Sequence, residues 1–130
     1  MLMDLKTPRD ASQPAIDAEV LRKLQELDPG GQSGIVHRVL MTYRKSLLDT
    51  LQALEPALRQ DDPDAVRRLA HTLKSASASV GALELSRLCL QLESAARGPD
   101  RTVMADLVRL LALEAHRVLV ALPPDEALPD

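Results

Sequence analysis

The chain has 130 residues and a formal net charge of −3, with acids and bases interspersed along it. That length suits one ordinary domain, and the lack of a basic stripe argues against an electrostatic grip on nucleic acid. Apolar residues make up 45% of the chain yet include no Phe, no Trp and one Tyr, so the core must be built from Leu, Val, Ala, Ile and Met, which favours helices over strands. The lone Cys89 has no partner for an internal disulfide and fits a reducing compartment. The first residues lack the basic-then-apolar layout of a secretory leader, and charges or prolines break every apolar run short of a membrane span. A cytoplasmic protein with no membrane contact is expected.

Residues 1–14 are polar and Pro-containing and are expected to be loose. Asp17 can cap a first helix, with Ile16 and Leu21 as a hydrophobic staple and Val20, Leu21, Leu24 and Leu27 as its apolar stripe. Asp28-Pro29-Gly30-Gly31 ends it. Ser33 is placed to cap a long second helix, along which Ile35, Val36, Val39, Leu40, Tyr43, Leu47, Leu51, Leu54 and Leu58 keep helical spacing. Pro56 is expected to kink or shorten its last turn. Asp61-Asp62-Pro63-Asp64 starts a third helix with a capping acid, a first-turn proline and negative charge at the positive dipole end. Gly81 ends that helix. A fourth covers about 82–97 and stops at Gly98-Pro99; a fifth runs from about 100 to 121, before Pro123-Pro124. The tail, 123–130, is expected to be loose. Five helices with short connections give an all-α fold: an antiparallel, up-and-down four-helix bundle with an additional N-terminal helix, in one domain over 15–122.

The third helix carries the chemistry. Projected at roughly 100° per residue, Val66, Leu69, Ala70, Leu73, Ser77 and Val80 share one face, and His71 lies roughly 160° from its centre. The imidazole therefore points to water. Arg67, Lys74, Ser75 and Ala78 share its face, and Lys74 at i+3 is within side-chain reach. A cation there offsets charge on a phosphoryl group and favours a neutral, nucleophilic ring. Taken alone, an exposed histidine beside a lysine is usually an ordinary surface residue.

The pattern around it says more. His71-Thr72-Leu73-Lys74-Ser75, then Gly81-Ala82, Leu88-Cys89 and Leu92-Glu93, resembles the histidine-containing phosphotransfer (HPt) domain family of bacterial-type phosphorelays. Gly30-Gly31, the Val39-Leu40-Tyr43 helix and Asp61-Asp62 also fall where that family has similar features, so the likeness spans roughly residues 16 to 120. The resemblance implies that His71 accepts a phosphoryl group from an aspartyl phosphate on a receiver domain and passes it to another receiver. It implies Lys74 as the phosphate-stabilising cation, Ser75 as the small residue that admits the partner, and Gly81 as the helix terminator. Ser75 departs from the glycine common at that position. Glu93 and Arg97 fall near the histidine in the family, and with Arg67, Ser75 and Ala78 they are expected to form the surface where the partner docks. Whether Glu93 orients His71 or pairs with Arg97 at i+4 is open, and the pairing is favoured.

The partners implied are response-regulator receivers and a hybrid sensor histidine kinase. The phosphotransfer protein is expected to be a monomer without cofactor or metal, a relay intermediate and not a complete enzyme. No carboxylate cluster near His71 is available to hold Mg²⁺, so the receiver would supply it. An unperturbed imidazole titrates at about pH 6.5, which leaves a useful neutral fraction at physiological pH, and phosphoryl transfer depends mainly on positioning and charge neutralisation. The remaining residues offer less. His37 and His116 lack metal-ligand spacing to each other or to Cys89, which sits at core spacing with Leu85, Leu88 and Leu92. Ser75, Ser77 and Ser79 have no acid or base placed to activate them, and Gly30-Gly31 is too short for a phosphate loop. Two other readings stand beside the relay: the dimerisation and phosphoacceptor part of a histidine kinase, and a non-catalytic helical adaptor. The first would need a glycine-rich nucleotide-binding domain that the sequence lacks. The retained His71 and Lys74 argue against the second.

Overall fold

Asp17 opens the helical part of the chain as expected. In the computed structural model, which describes residues 13–123, its carboxylate accepts the backbone N–H groups of Glu19 (2.9 Å) and Val20 (3.1 Å) and caps α1, Ala18–Gln25. A 3₁₀ turn follows at Pro29–Gly31. Helix α2 spans Ile35–Arg59, α3 Pro63–Val80, α4 Leu83–Ala96 and α5 Arg101–Ala121. Asp62 caps α3 by accepting the N–H of Ala65 at 3.1 Å, with Pro63 in its first turn. Asp100 caps α5 through the N–H groups of Thr102 and Val103. Every described element is helical, and the fold is all-α.

The start of α2 differs from expectation. Its cap position is Gly34 at φ 73°, in the left-handed region, and Ser33 Oγ lies 3.4 Å from the N–H of Ile35. The boundary is held from behind by Asp28, which is buried and accepts the N–H groups of Ser33 (3.1 Å) and Gly34 (3.0 Å). The hydrogen bond from the Ser33 backbone is the main reason its carboxyl lies below the usual range. Pro56 shortens nothing: α2 runs on through it to Arg59, close enough to the helix end that few turns depend on the lost N–H.

Helix α3 packs most extensively on α4; α2 lies against α3, α5 against α4, and α5 returns to α2. The ring closes, and its short connections make consecutive helices run in opposite senses. Helix α1 lies across one end of α3. Leu47, Leu54, Leu73, Leu85, Leu92, Leu107 and Leu111 fill the interior with no more than a few per cent of their surface exposed. Each such burial stabilises by roughly 1.5–3 kcal/mol before chain entropy is subtracted. Tyr43 is the one aromatic ring in this leucine core, and its hydroxyl meets Ser77 Oγ at 2.7 Å across the α2–α3 seam.

The projected stripes hold along most of their length and fail at their ends. Leu27 is 70% exposed because α1 stops at Gln25, before Leu27 can share its face. Ile35 and Val39 are exposed because the buried arc of α2 runs through Leu40, Tyr43, Leu47, Thr50, Leu54 and Ala57. Among the described residues no helix is long and apolar enough to cross a membrane. The segments expected to be loose fall almost wholly outside the described residues, which leave out 1–12 and 124–130. At the inner edge of the first, the carbonyl of Gln13 accepts a hydrogen bond from Arg117 at 2.5 Å.

Candidate functional site

Helices α3 and α4 form the most extensively packed pair in the bundle, and the site sits on the outer edge of that seam. Val66, Ala70, Leu73, Ser77 and Val80 form the buried face of α3. A residue one step past Ala70 must then point outward, and the His71 side chain is 62% exposed. Leu69, expected in the core, is half-buried at the margin of that face.

Helix α4 contributes Glu93, which is not on the expected docking surface but nearly as buried as its leucine neighbours, with 6% of its side chain exposed, because its carboxylate turns inward to partners on α3. Its carboxylate is divided between two partners on α3: Oε2 lies 2.8 Å from His71 Nδ1, and Oε1 lies 2.8 Å from Lys74 Nζ. An ionised carboxylate only accepts hydrogen bonds, so Nδ1 carries a proton and donates. The hydrogen bond from Lys74, then that from His71, holds the Glu93 carboxyl at about 2, against the opposing effect of burial. No hydrogen bond among the described residues engages Nε2, so the second ring nitrogen is left without a protein partner. Beneath the site, Ser86 Oγ donates to the Lys74 carbonyl at 2.9 Å and ties α4 to the turn of α3 that carries the lysine.

The favoured pairing of Glu93 with Arg97 is the loosest of the three contacts. Arg97 Nη2 stands 3.7 Å from Oε2, while His71 and Lys74 each make full hydrogen bonds. The i+4 spacing visible in the sequence concerned one helix, and the stronger partners come from the other. Ser75 and Ala78 are exposed on the same face of α3, and Arg67 is half-buried one turn before His71. Gly81 ends α3 at φ 89°. A Cβ there would lie 3.1 Å from the Asp17 carbonyl oxygen and 3.1 Å from Val20 Cβ, so a side chain would be strained by the positive φ and would also have to press its neighbours back by a few tenths of an ångström. Cys89 is fully buried, and burial pushes its thiol up to about 12. His37 is half-buried and His116 exposed. Among the described residues no group of three or more His, Cys, Asp or Glu side chains could hold a metal ion.

The profile of the Hpt domain family matches residues 38–121. The chain belongs to the Hpt domain family. Among solved structures, histidine-containing phosphotransfer protein B (HptB) from Pseudomonas aeruginosa PAO1 is similar at 29% identity and a TM-score of 0.75, over 83% of this chain and 90% of that one. The maize histidine-containing phosphotransfer protein ZmHP2 is similar at 24% identity and a TM-score of 0.71, over 82% of this chain and 84% of that one, a likeness of fold. No curated protein matches the sequence. As an Hpt domain, the chain serves histidine phosphotransfer in phosphorelays. The Hpt profile covers both helices of the site, and His71, Lys74 and Glu93 all fall within it.

Proposed function

We propose that this Hpt domain accepts a phosphoryl group on Nε2 of His71 from a receiver-domain aspartyl phosphate and passes it to a second receiver. The observation that carries this reading is an imidazole 62% exposed, with Nδ1 committed to a buried carboxylate and Nε2 left open. The Nε2 lone pair attacks phosphorus, the bond to the aspartyl oxygen breaks, and the aspartate leaves as a carboxylate. The ring keeps its Nδ1 proton throughout, so no base has to remove it. Delivery to the next receiver is the same step reversed.

Lys74 lies close enough to His71, through their shared carboxylate, to offset charge on the transferred group. Arg67, Ser75, Ala78 and Arg97 form the rim that meets the partner, with Ser75 and Ala78 small enough to let an active site come close. The receiver brings the acidic residues and Mg²⁺, and a hybrid sensor histidine kinase starts the relay. The domain works as a monomer in the cytoplasm. A non-catalytic adaptor would have no use for a buried carboxylate aimed at an exposed imidazole.

Incubation with a phosphorylated receiver tests this. The native chain should acquire an acid-labile phosphohistidine, and His71→Gln should acquire none. Label retained in that variant would move the site elsewhere.

A further inference from the structure

A carboxylate that bonds Nδ1 before transfer is still beside Nδ1 afterwards. Attack by a ring that keeps its Nδ1 proton gives an N-phosphorylated imidazolium, which is positively charged. When the phosphoryl group leaves that form, the departing ring is neutral imidazole, a good leaving group. If the Nδ1 proton is lost first, the ring would have to depart as an imidazolate, a poor one. Whatever holds that proton therefore governs how readily the phosphoryl group moves on.

Glu93 is the acceptor, 6% exposed and 2.8 Å from Nδ1. Lys74 occupies the other oxygen at 2.8 Å. The other charged groups on this face are Arg67 on α3 and Arg97 on α4, and the thiol of Cys89 lies in the core behind Glu93. The cations disfavour a charged ring, the buried thiol is neutral, and Glu93 is the anion that favours it.

We propose that Glu93 sets the lifetime of the phosphohistidine. Its carboxylate holds the Nδ1 proton on the phosphorylated ring and keeps that ring in its transferable, imidazolium form. Lys74, bonded to the other oxygen, tempers that hold. The domain is thereby built for rapid turnover of the phosphoryl group and not for storing it. This rests on the assignment of His71 as the phosphorylated residue.

The test loads the native chain, Glu93→Gln and Lys74→Met with phosphoramidate, a small phosphoryl donor that needs no partner protein. The donor is removed, and the decay of phosphohistidine is followed by phosphorus NMR from mildly acidic to alkaline pH. Lability should rise toward acid in all three. With the ring more than half exposed, the low end of the usual charge effect applies, so the midpoint in Glu93→Gln should fall by about one pH unit. The neutral-pH half-life should then lengthen several-fold. Lys74→Met should move the midpoint the other way, because the carboxylate is no longer shared. Circular dichroism of each variant checks that it is folded. Coincident profiles, or shifts of the same sign in both variants, would overturn the proposal while leaving His71 as the acceptor. A native chain that takes no label on His71 would overturn the assignment beneath it as well.

Discussion

Replacing Gly81 by alanine should weaken the domain far more than removing one backbone degree of freedom would suggest. The position has φ 89°, a conformation that costs an L-residue roughly 1–2 kcal/mol. Alanine also restricts the unfolded chain, which returns roughly 0.4–1 kcal/mol. The new methyl would stand 3.1 Å from the Asp17 carbonyl oxygen, 3.3 Å from its nitrogen and 3.1 Å from Val20 Cβ. Two of these are backbone atoms that cannot rotate away. The same Asp17 N–H donates to the Gly81 carbonyl at 2.7 Å, so relieving the contact loosens that bond and the cap of α1 with it. Overpacking of this kind costs roughly 1–3 kcal/mol and the weakened hydrogen bond about 1 kcal/mol. The net expectation is a loss of about 2–6 kcal/mol, read as a lower urea midpoint with an unchanged slope. A variant within about half a kcal/mol of the native chain would show that α1 can lift off the α3–α4 turn at little cost, and would refute the close-contact argument.

Two further outcomes follow from buried polar groups. Tyr43→Phe leaves the hydroxyl of the fully buried Ser77 without its 2.7 Å partner and should cost about 1–3 kcal/mol in chemical denaturation, with Ser77→Ala recovering part of the loss in the double variant; strict additivity would argue against the bond. The Glu93 carboxyl, held at about 2 in the folded chain by Lys74 and His71, ionises more readily folded than unfolded. Its contribution to stability is fully present above its unfolded value of about 4.3 and is lost as pH falls through about 2. Glu93→Gln should flatten that acid limb of the stability curve, and an unchanged limb would assign the acid sensitivity to other carboxyls.

Much of this architecture is legible in the sequence because it is local. Asp17, Asp62 and Asp100 each cap a helix through donors two or three residues ahead, a relation that spacing reveals. The exposure of His71 follows from periodicity alone, since Val66, Ala70, Leu73 and Ser77 fix the buried face. What spacing misses is what crosses between elements. Asp28 closes the turn before α2 from five and six residues away, and so takes over the role that local rules assign to Ser33. Glu93 meets its partners 22 and 19 residues back along the chain, while its visible i+4 neighbour Arg97 is the weaker contact. Only a carboxylate at an otherwise apolar position of α4, between Leu92 and Ala96, hinted that something on α3 required it.

Tyr43 gives the molecule an optical property. With no tryptophan and a single tyrosine in the chain, nearly all its near-ultraviolet absorption and intrinsic fluorescence comes from one ring, 4% exposed and hydrogen-bonded to Ser77 on the helix that carries His71. Burial pushes its hydroxyl up to about 12, so the phenol stays protonated through the neutral range and its signal does not change by ionisation there. Any change in that signal reports the α2–α3 seam and no other part of the chain, a label-free probe built in two turns from the histidine.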